Sequence, residues 1–304
     1  MGDNLKVMSY NIKGFKPRNY NYVSKIYDSV DIMMIQEHWL FEYEFGKIST
    51  TLDNSLFFAK SSMSSDEFIE GRPYGGVAIV WRPTLCFDIK EIPTESNRLI
   101  ACRLENVSHK ILLFNLYMPC RVNLGNEEYL NILYEIMSIV KIYSDYNIVI
   151  GGDFNTNFVL NDYRVNILTE FSTENDLICV TRNGQNIEYS FIDSQNHMSL
   201  IDHFFVNESF NTCIQNVCSL EEGDNLSDHL PIVLTLNLGS IKDNNGYYSS
   251  SGKNKKPKRQ ICWPEATDSH VLRYRDMLSE LLDQCSFEAT LCHDNQCQNS
   301  KHIT

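Results

Sequence analysis

The chain has 304 residues, 43% of them hydrophobic and 12% aromatic, with a formal net charge of −13. That length accommodates one large α/β domain plus an appendage, and that apolar content excludes a disordered chain. No apolar run approaches the ~20 residues of a membrane span, and the acidity works against any general polyanion-coating role.

The start, Met1-Gly2-Asp3-Asn4-Leu5-Lys6, leads almost directly into a strand-like segment. Neither a secretory leader nor, without Ser or Thr at position 6, a myristoyl site is expected. An intracellular setting, nuclear or cytoplasmic and not secreted, with no membrane partner, follows as the expectation. The ten cysteines then read as reduced thiols, with Cys86, Cys102 and Cys179 in apolar, strand-like surroundings.

Periodicity predicts a first strand over residues 6–10 that ends at Asn11, then a helix over 22–30. A buried strand at 32–36 ends at Glu37, and strands follow at 76–81 and 111–117, the second ending at Tyr117. Residues 127–143 carry the strongest helical pattern, with Leu130, Leu133, Tyr134, Met137, Val140 and Ile142 as its apolar face. Strands at 147–150, 200–206 and 230–234 complete the set, close to Asp153 with Asn155, Asp202, and Asp228 with His229. The expected architecture is two layered sheets with helices outside, and no internal repeat is visible.

After Gly239 the composition changes. Residues 240–262 are polar and basic and read as a linker containing Lys253-Asn254-Lys255-Lys256-Pro257-Lys258-Arg259. Residues 263–304 return to a helical pattern through Leu272, Tyr274, Met277, Leu278, Leu281 and Leu282, too short to bury a core alone. The domain division expected is therefore 1–239, 240–262 and 263–304.

Asn11, Glu37, Tyr117, Asp153 with Asn155, Asp202, and Asp228 with His229 are read as polar residues at the last positions of apolar strands. Singly, each has a bland reading: Asn11 or Asn155 as a turn cap, Tyr117 as core, Asp202 as a backbone partner. Together, strand ends converging on one rim describe a pocket of hard oxygen ligands and an imidazole, suited to a divalent cation and to proton transfer.

Ser9-Tyr10-Asn11, Gln36-Glu37, Tyr117-Met118-Pro119, Gly152-Asp153-Phe154-Asn155, Ile201-Asp202-His203 and Ser227-Asp228-His229 resemble, in order and spacing, the endonuclease/exonuclease/phosphatase superfamily over about residues 5–238. The resemblance implies a four-layer α/β sandwich of two packed, mostly antiparallel sheets flanked by helices, here with a short helical C-terminal appendage. It also implies Mg²⁺- or Mn²⁺-dependent phosphoester cleavage. Glu188-Tyr189-Ser190-Phe191, before Asp202, and Gly75-Gly76-Val77-Ala78-Ile79 are similar to the endonuclease domain of LINE-type (non-LTR) retrotransposons. The stretches 262–267 and 274–278 resemble the connector that precedes reverse transcriptase in such polyproteins. No polymerase follows, so a truncated or domesticated element that has lost its fused reverse transcriptase is the expectation.

Under that resemblance Glu37 is the primary metal ligand, with Asn11 orienting it or meeting the metal's water, and Asp228 as metal ligand or helper of the leaving oxygen. Asp153 receives a proton from the attacking water, and Asn155 holds its geometry. His229 donates to a non-bridging oxygen, Asp202 sets its tautomer, and Tyr117 reaches phosphate. Ser190 and Ser227 support by hydrogen bonds. Whether Asp153 or His229 is the base stays open. The implied activity is nicking of one strand of duplex DNA to leave a 3′-hydroxyl. The alternatives are abasic-site repair, another phosphoesterase chemistry of the superfamily, or a non-enzymatic remnant. Ser199-Leu200-Ile201-Asp202-His203 departs from the inositol-phosphatase signature, and Cys120 stands where the LINE-type branch often has Asn.

Residues 1–239 hold 17 Lys and Arg against 31 Asp and Glu, so the expected DNA affinity is modest and salt-sensitive. The basic run at 253–259 suits nuclear targeting, phosphate contact or a solvated linker equally. Cys285, Cys292, Cys297 and His302 lack a standard zinc spacing and read as a tail. Arg72 reads as an exposed arginine, and Trp39 and Trp81 as core or rim packing.

Overall fold

The computed structural model describes residues 4–64, 66, 71–120, 126–160, 162–183 and 187–240. These fall in the first of two units, Met1–Asn245 and Gly246–Thr304. The expected tail at 263–304, its cysteines, the basic run at 253–259 and the linker beyond Ser240 lie outside the described residues.

Two six-stranded sheets form the body. The elements run β1 (Asn4–Asn11), α1 (Tyr20–Tyr27), β2 (Ile32–Gln36), α2 (Gly46–Thr51), β3 (Leu56–Lys60), β4 (Val77–Trp81), β5 (Asp88–Ile92), β6 (Leu99–Glu105) and β7 (Lys110–Tyr117). They continue as α3 (Glu127–Ile142), β8 (Asn147–Asp153), α4 (Tyr163–Glu174), β9 (Leu177–Cys179), α5 (Val180–Asn183), β10 (Phe191–Ile192), β11 (Met198–Ser199), β12 (Asp202–Asn207), α6 (Glu208–Asn211), β13 (Ile214–Ser219) and β14 (Ile232–Asn237). The first sheet has the order β13-β14-β1-β2-β4-β3, the second β5-β6-β7-β8-β12-β9, and β10-β11 is a separate short hairpin. Each large sheet is antiparallel except for its central pair, β1 with β2 and β7 with β8. Those two parallel pairs are bridged by α1 and α3, because parallel neighbours need a crossover.

The sheets pack face to face over Val7, Met34, Ile79, Ile100, Leu113, Val149, Phe204 and Leu234, while α1 and α3 cover the outer faces. The central strands are buried on both sides, which is why they read as continuous apolar runs. Among the described residues no helix is long and apolar enough to cross a membrane.

Several expectations need correction. The first helix covers Tyr20–Tyr27 rather than 22–30, since residues 28–30 turn toward β2. In α3 the buried face is Tyr129, Ile132, Leu133, Ile136 and Ile139, whereas Tyr134 and Ile142 are exposed. Leu133 lies in that face and Leu130, Met137 and Val140 are half-buried against it, so the expected stripe is rotated toward one side and errs at Tyr134 and Ile142. Cys86 is exposed and lies between strands, while Cys102 is buried in β6. Strands β3, β5 and β13 are not among the expected elements, and β6 is foreshadowed only by the strand-like surroundings of Cys102. β5 and β13 alternate weakly and carry exposed polar residues.

Candidate active site

β1, β2, β7 and β8 all exit at one end of the sandwich. Asn11, Tyr117 and Asp153 are the last residues of their strands, and Glu37 follows β2 directly. Asp202, Asp228 and His229 are not strand exits, contrary to the reading of the sequence. Asp202 opens β12, and Asp228 with His229 precede β14. Because β12 and β14 run antiparallel to β8 and β1, their entries meet those exits, so the register Asp202↔Asp153 is direct.

Asn11 joins the two sheets. Its Nδ2 donates to Glu37 Oε1 at 3.0 Å and to Asp153 Oδ2 at 3.0 Å. Asp153 Oδ1 accepts the Asn155 backbone N–H at 2.9 Å, and Asn155 Nδ2 donates to Met118 O at 2.8 Å. His229 Nε2 stands 3.8 Å from Asp153 Oδ2, and its Nδ1 lies 2.8 Å from Asp202 Oδ2. Ser227 Oγ donates to Asn11 O at 2.7 Å and accepts the His229 backbone N–H at 3.1 Å, tying the loop before β14 to the exit of β1. Ser190 Oγ accepts the backbone N–H groups of Ile201 and Asp202, both at 3.0 Å, and so holds the entry of β12. The β10 strand closes the same side, through an isolated bridge of Phe191 to His229 with the two rings 4.9 Å apart.

The backbone at this rim is demanding. Gly152 has φ +150°, and a Cβ there would stand 2.0 Å from Leu116 O, so β8 passes β7 too closely for any side chain.

Burial and neighbouring charge together set the protonation states. Burial and the nearby Asp202 push Asp153 up to about 7. Burial alone would lower His229, but Asp202 and Asp153 outweigh it and raise the imidazole to about 9. We read this trio as an imidazolium held between two carboxylates. Burial, then Glu37, keeps the Tyr117 phenol protonated far above its ordinary value.

The structure brings together Asn11, Glu37, Asp153, Asp202 and His229, with Ser190, Ser227 and Asn155 bracing them. Asp228 sits toward the edge in an ion pair with Lys13. Tyr117 faces Cys120, its hydroxyl 3.8 Å from Sγ, and the Cys120 thiol donates to Asn155 Oδ1 at 3.6 Å. His203, adjacent to Asp202, points to the other face of β12, where Nε2 donates to Thr156 O at 2.9 Å. Asp153, Asp202 and His229 place ligand atoms within 4.8 Å of one another. The hydrogen bond and raised basicity of His229 occupy its nitrogens with protons, so the open oxygen donors lie on the Glu37–Asn11–Asp153 side.

Sequence reasoning missed Lys13, Trp39 and Arg164. Arg164, near the start of α4, donates to Pro119 O at 2.6 Å and Cys120 O at 3.1 Å, pinning the turn after Tyr117. Trp39 Nε1 donates to Glu37 Oε2 at 2.9 Å. No local signal marks an arginine in a helix's first turn or a tryptophan in a loop for such work.

Residues 111–233 match a family model described as endonuclease-reverse transcriptase. The endonuclease domain of TRAS1, a telomere-specific non-LTR retrotransposon, superposes with a TM-score of 0.60 at 18% identity, covering 77% of this chain and 99% of that one. The fold is that of the endonuclease/exonuclease/phosphatase superfamily. An AP endonuclease from Archaeoglobus fulgidus matches with a TM-score of 0.58 at 16% identity, over 77% of this chain and 99% of that one. The 3′ phosphatase NExo from Neisseria, bound to a product DNA hairpin, matches at 0.55 and 17%, over 76% and 98%. No curated protein matches the sequence.

Proposed function

We propose that this protein is a divalent-metal-dependent phosphodiesterase that nicks one strand of duplex DNA and leaves a 3′-hydroxyl. One observation carries the reading: Asn11 binds a carboxylate from each sheet, Glu37 and Asp153, with an imidazole braced by Asp202 just beyond. A retrotransposon endonuclease domain, an AP endonuclease and a DNA-bound phosphatase among the structural matches support DNA as the substrate.

The donor set fits Mg²⁺ or Mn²⁺. Glu37 and Asp153 offer hard carboxylate oxygens and Asn11 an amide oxygen, and no Lys or Arg among the described residues pairs with either acid. Asp228, although paired with Lys13, would be a further ligand at the edge. Such an ion supplies positive charge against the charge that grows on the phosphoryl oxygens.

The chain's own groups divide the remaining work. Asp153 Oδ2 takes the proton of the attacking water, its other oxygen being fixed by the Asn155 backbone. His229, carrying protons on both nitrogens, donates from Nε2 to a non-bridging oxygen while Asp202 holds Nδ1. The protonated Tyr117 hydroxyl adds a donor. A local basic rim offsets the net acidity: Lys13, Lys16, Arg18 and Arg72 are near enough that, after burial, Arg18, Arg72 and Lys13 lower the Lys16 pKa. Phosphates of the substrate strand meet this rim.

Supercoiled plasmid tests the reading. With Mg²⁺ it is expected to relax to open circles that a DNA polymerase extends directly, and with EDTA to stay supercoiled. Ends that resist extension, or preferential turnover of an inositol phosphate, would overturn it. Abasic-site incision is a second reading, favoured by a cavity of about 310 Å³ lined by Asn155, Leu160, Phe191 and Ile201 beside the site. An abasic oligonucleotide cut far faster than intact duplex would select it.

A further inference from the structure

Backbone strain clusters around Glu37. Glu37 has φ 53° and Trp39 φ 59°, and Lys13, on the facing loop, has φ 50°. Residues with a Cβ adopt this region only where the surroundings over-determine them, and such positions concentrate at functional sites. The turn brings the Trp39 indole back beneath the acid, where Nε1 donates to Glu37 Oε2 at 2.9 Å.

The indole is gripped from several sides. Gly14 has φ +98°, and a Cβ there would stand 2.5 Å from Trp39 Cε3, so the loop after β1 must be bare to admit the ring. Gly14 N donates to Glu37 O at 2.7 Å, Phe15 N to His38 O at 2.8 Å and Trp39 N to Gly75 O at 3.0 Å. Lys16 Nζ and Arg72 Cζ lie 4.2 Å and 5.0 Å from the ring centroid.

A buried indole N–H generally finds some acceptor. Here the acceptor is one oxygen of the acid assigned to the metal, and Asn11 takes the other at 3.0 Å. The two donors fix the rotation of the carboxylate, and each oxygen keeps a lone pair for a cation. We infer that Trp39 is a positioning residue whose N–H sets the Glu37 carboxylate in the orientation that receives the divalent ion. The inference rests on the assignment of Glu37 as metal ligand made above.

Calorimetric titration of Mn²⁺ into the substrate-free full chain tests it. The forms compared are the natural protein, Trp39→Phe, Trp39→benzothienylalanine and Glu37→Gln. Benzothienylalanine keeps the bicyclic shape and replaces only the N–H with sulfur. Both Trp39 forms should bind Mn²⁺ about 10- to 100-fold more weakly, the range for losing a hydrogen bond that orients a metal ligand. The benzothienyl form should unfold at nearly the natural temperature. If Glu37→Gln weakens Mn²⁺ while both Trp39 forms bind as the natural protein does, the positioning role is overturned. If Glu37→Gln itself leaves Mn²⁺ binding unchanged, the ligand assignment has failed first. Should Trp39→Phe not fold, the benzothienyl form decides alone.

Discussion

In the first sheet the parallel pair β1–β2, joined by α1, delivers Asn11 at one exit and Glu37 just past the other. In the second, β7–β8, joined by α3, delivers Tyr117 and Asp153. Each pair is flanked by antiparallel strands, β4 and β14 in the first sheet and β12 and β6 in the second. The two halves share a plan and differ in what they carry. The first contributes Asn11 and Glu37, the strained Glu37–Trp39 turn and the basic rim. The second contributes Asp153 and Asp202, the acids that face the imidazole. Topology decides where polar groups arrive, and side-chain identity decides which task each half performs.

Asp153→Asn should break this division most sharply. It keeps the shape of the site, removes the proposed proton acceptor of the second half, and should slow nicking by about 10³-fold or more in single-turnover assays. The natural rate should rise with pH as Asp153 loses its proton near 7 and fall as His229 loses its own near 9. A flat profile over that span would refute the roles given to the pair.

Gly152→Ala probes the close approach that only the second half makes. By register from the last ladder pairs, the equivalent position in β2 is Ile35, a fully buried side chain. A methyl group meeting Leu116 O cannot be relieved by rotation, so a loss of about 3 kcal/mol or more is expected in denaturant unfolding.

His38 follows Glu37 in the first half as His203 follows Asp202 in the second. His38 accepts Leu40 N at Nδ1 (3.0 Å) and donates from Nε2 to Lys60 O (3.0 Å), so it is satisfied only when neutral, and burial holds it down to about 4. The unfolded chain takes up that proton near 6.5, so it binds more protons than the folded one between these values. Stability should therefore fall by about 3 kcal/mol as pH drops from 6.5 to 4, and His38→Gln should flatten that part of the curve.

The smallest effect concerns the seam between the halves. Gln36 Nε2 donates to Asn115 Oδ1 at 2.6 Å, and Asn115 Nδ2 reaches Ile35 O and Ala78 O at 3.0 and 2.8 Å. Asn115→Leu should leave Gln36 Nε2 only its longer contacts to Ser9 Oγ at 3.2 Å and Met34 O at 3.4 Å, and cost about 2 kcal/mol. An unchanged unfolding midpoint would show that the seam is held by apolar packing alone.

Much of this was legible in the order of residues. Central strands announce themselves as apolar runs because both of their faces are buried, and a polar residue ending such a run is conspicuous. Asn11, Glu37, Tyr117 and Asp153 were visible on that ground. Edge strands such as β5 and β13 were not, since half their residues face water and their pattern is diluted. The rotated stripe of α3 has the same origin: Tyr134 and Ile142 are apolar yet exposed, and only the neighbouring sheet selects the buried side.

The order of amino acids determined the central strands, the chemistry offered at their ends and the break in composition after Gly239, because those depend on local period and residue type. The tertiary structure decided that β12 and β14 run against β8 and β1, so that Asp202 and His229 enter where Asp153 and Asn11 leave. It also decided the pairing of Lys13 with Asp228 and the turn of Trp39 beneath Glu37. Those contacts join positions from 2 to 215 residues apart. Strand direction, left-handed backbone and side-chain reach set them, and none of these is written in local periodicity.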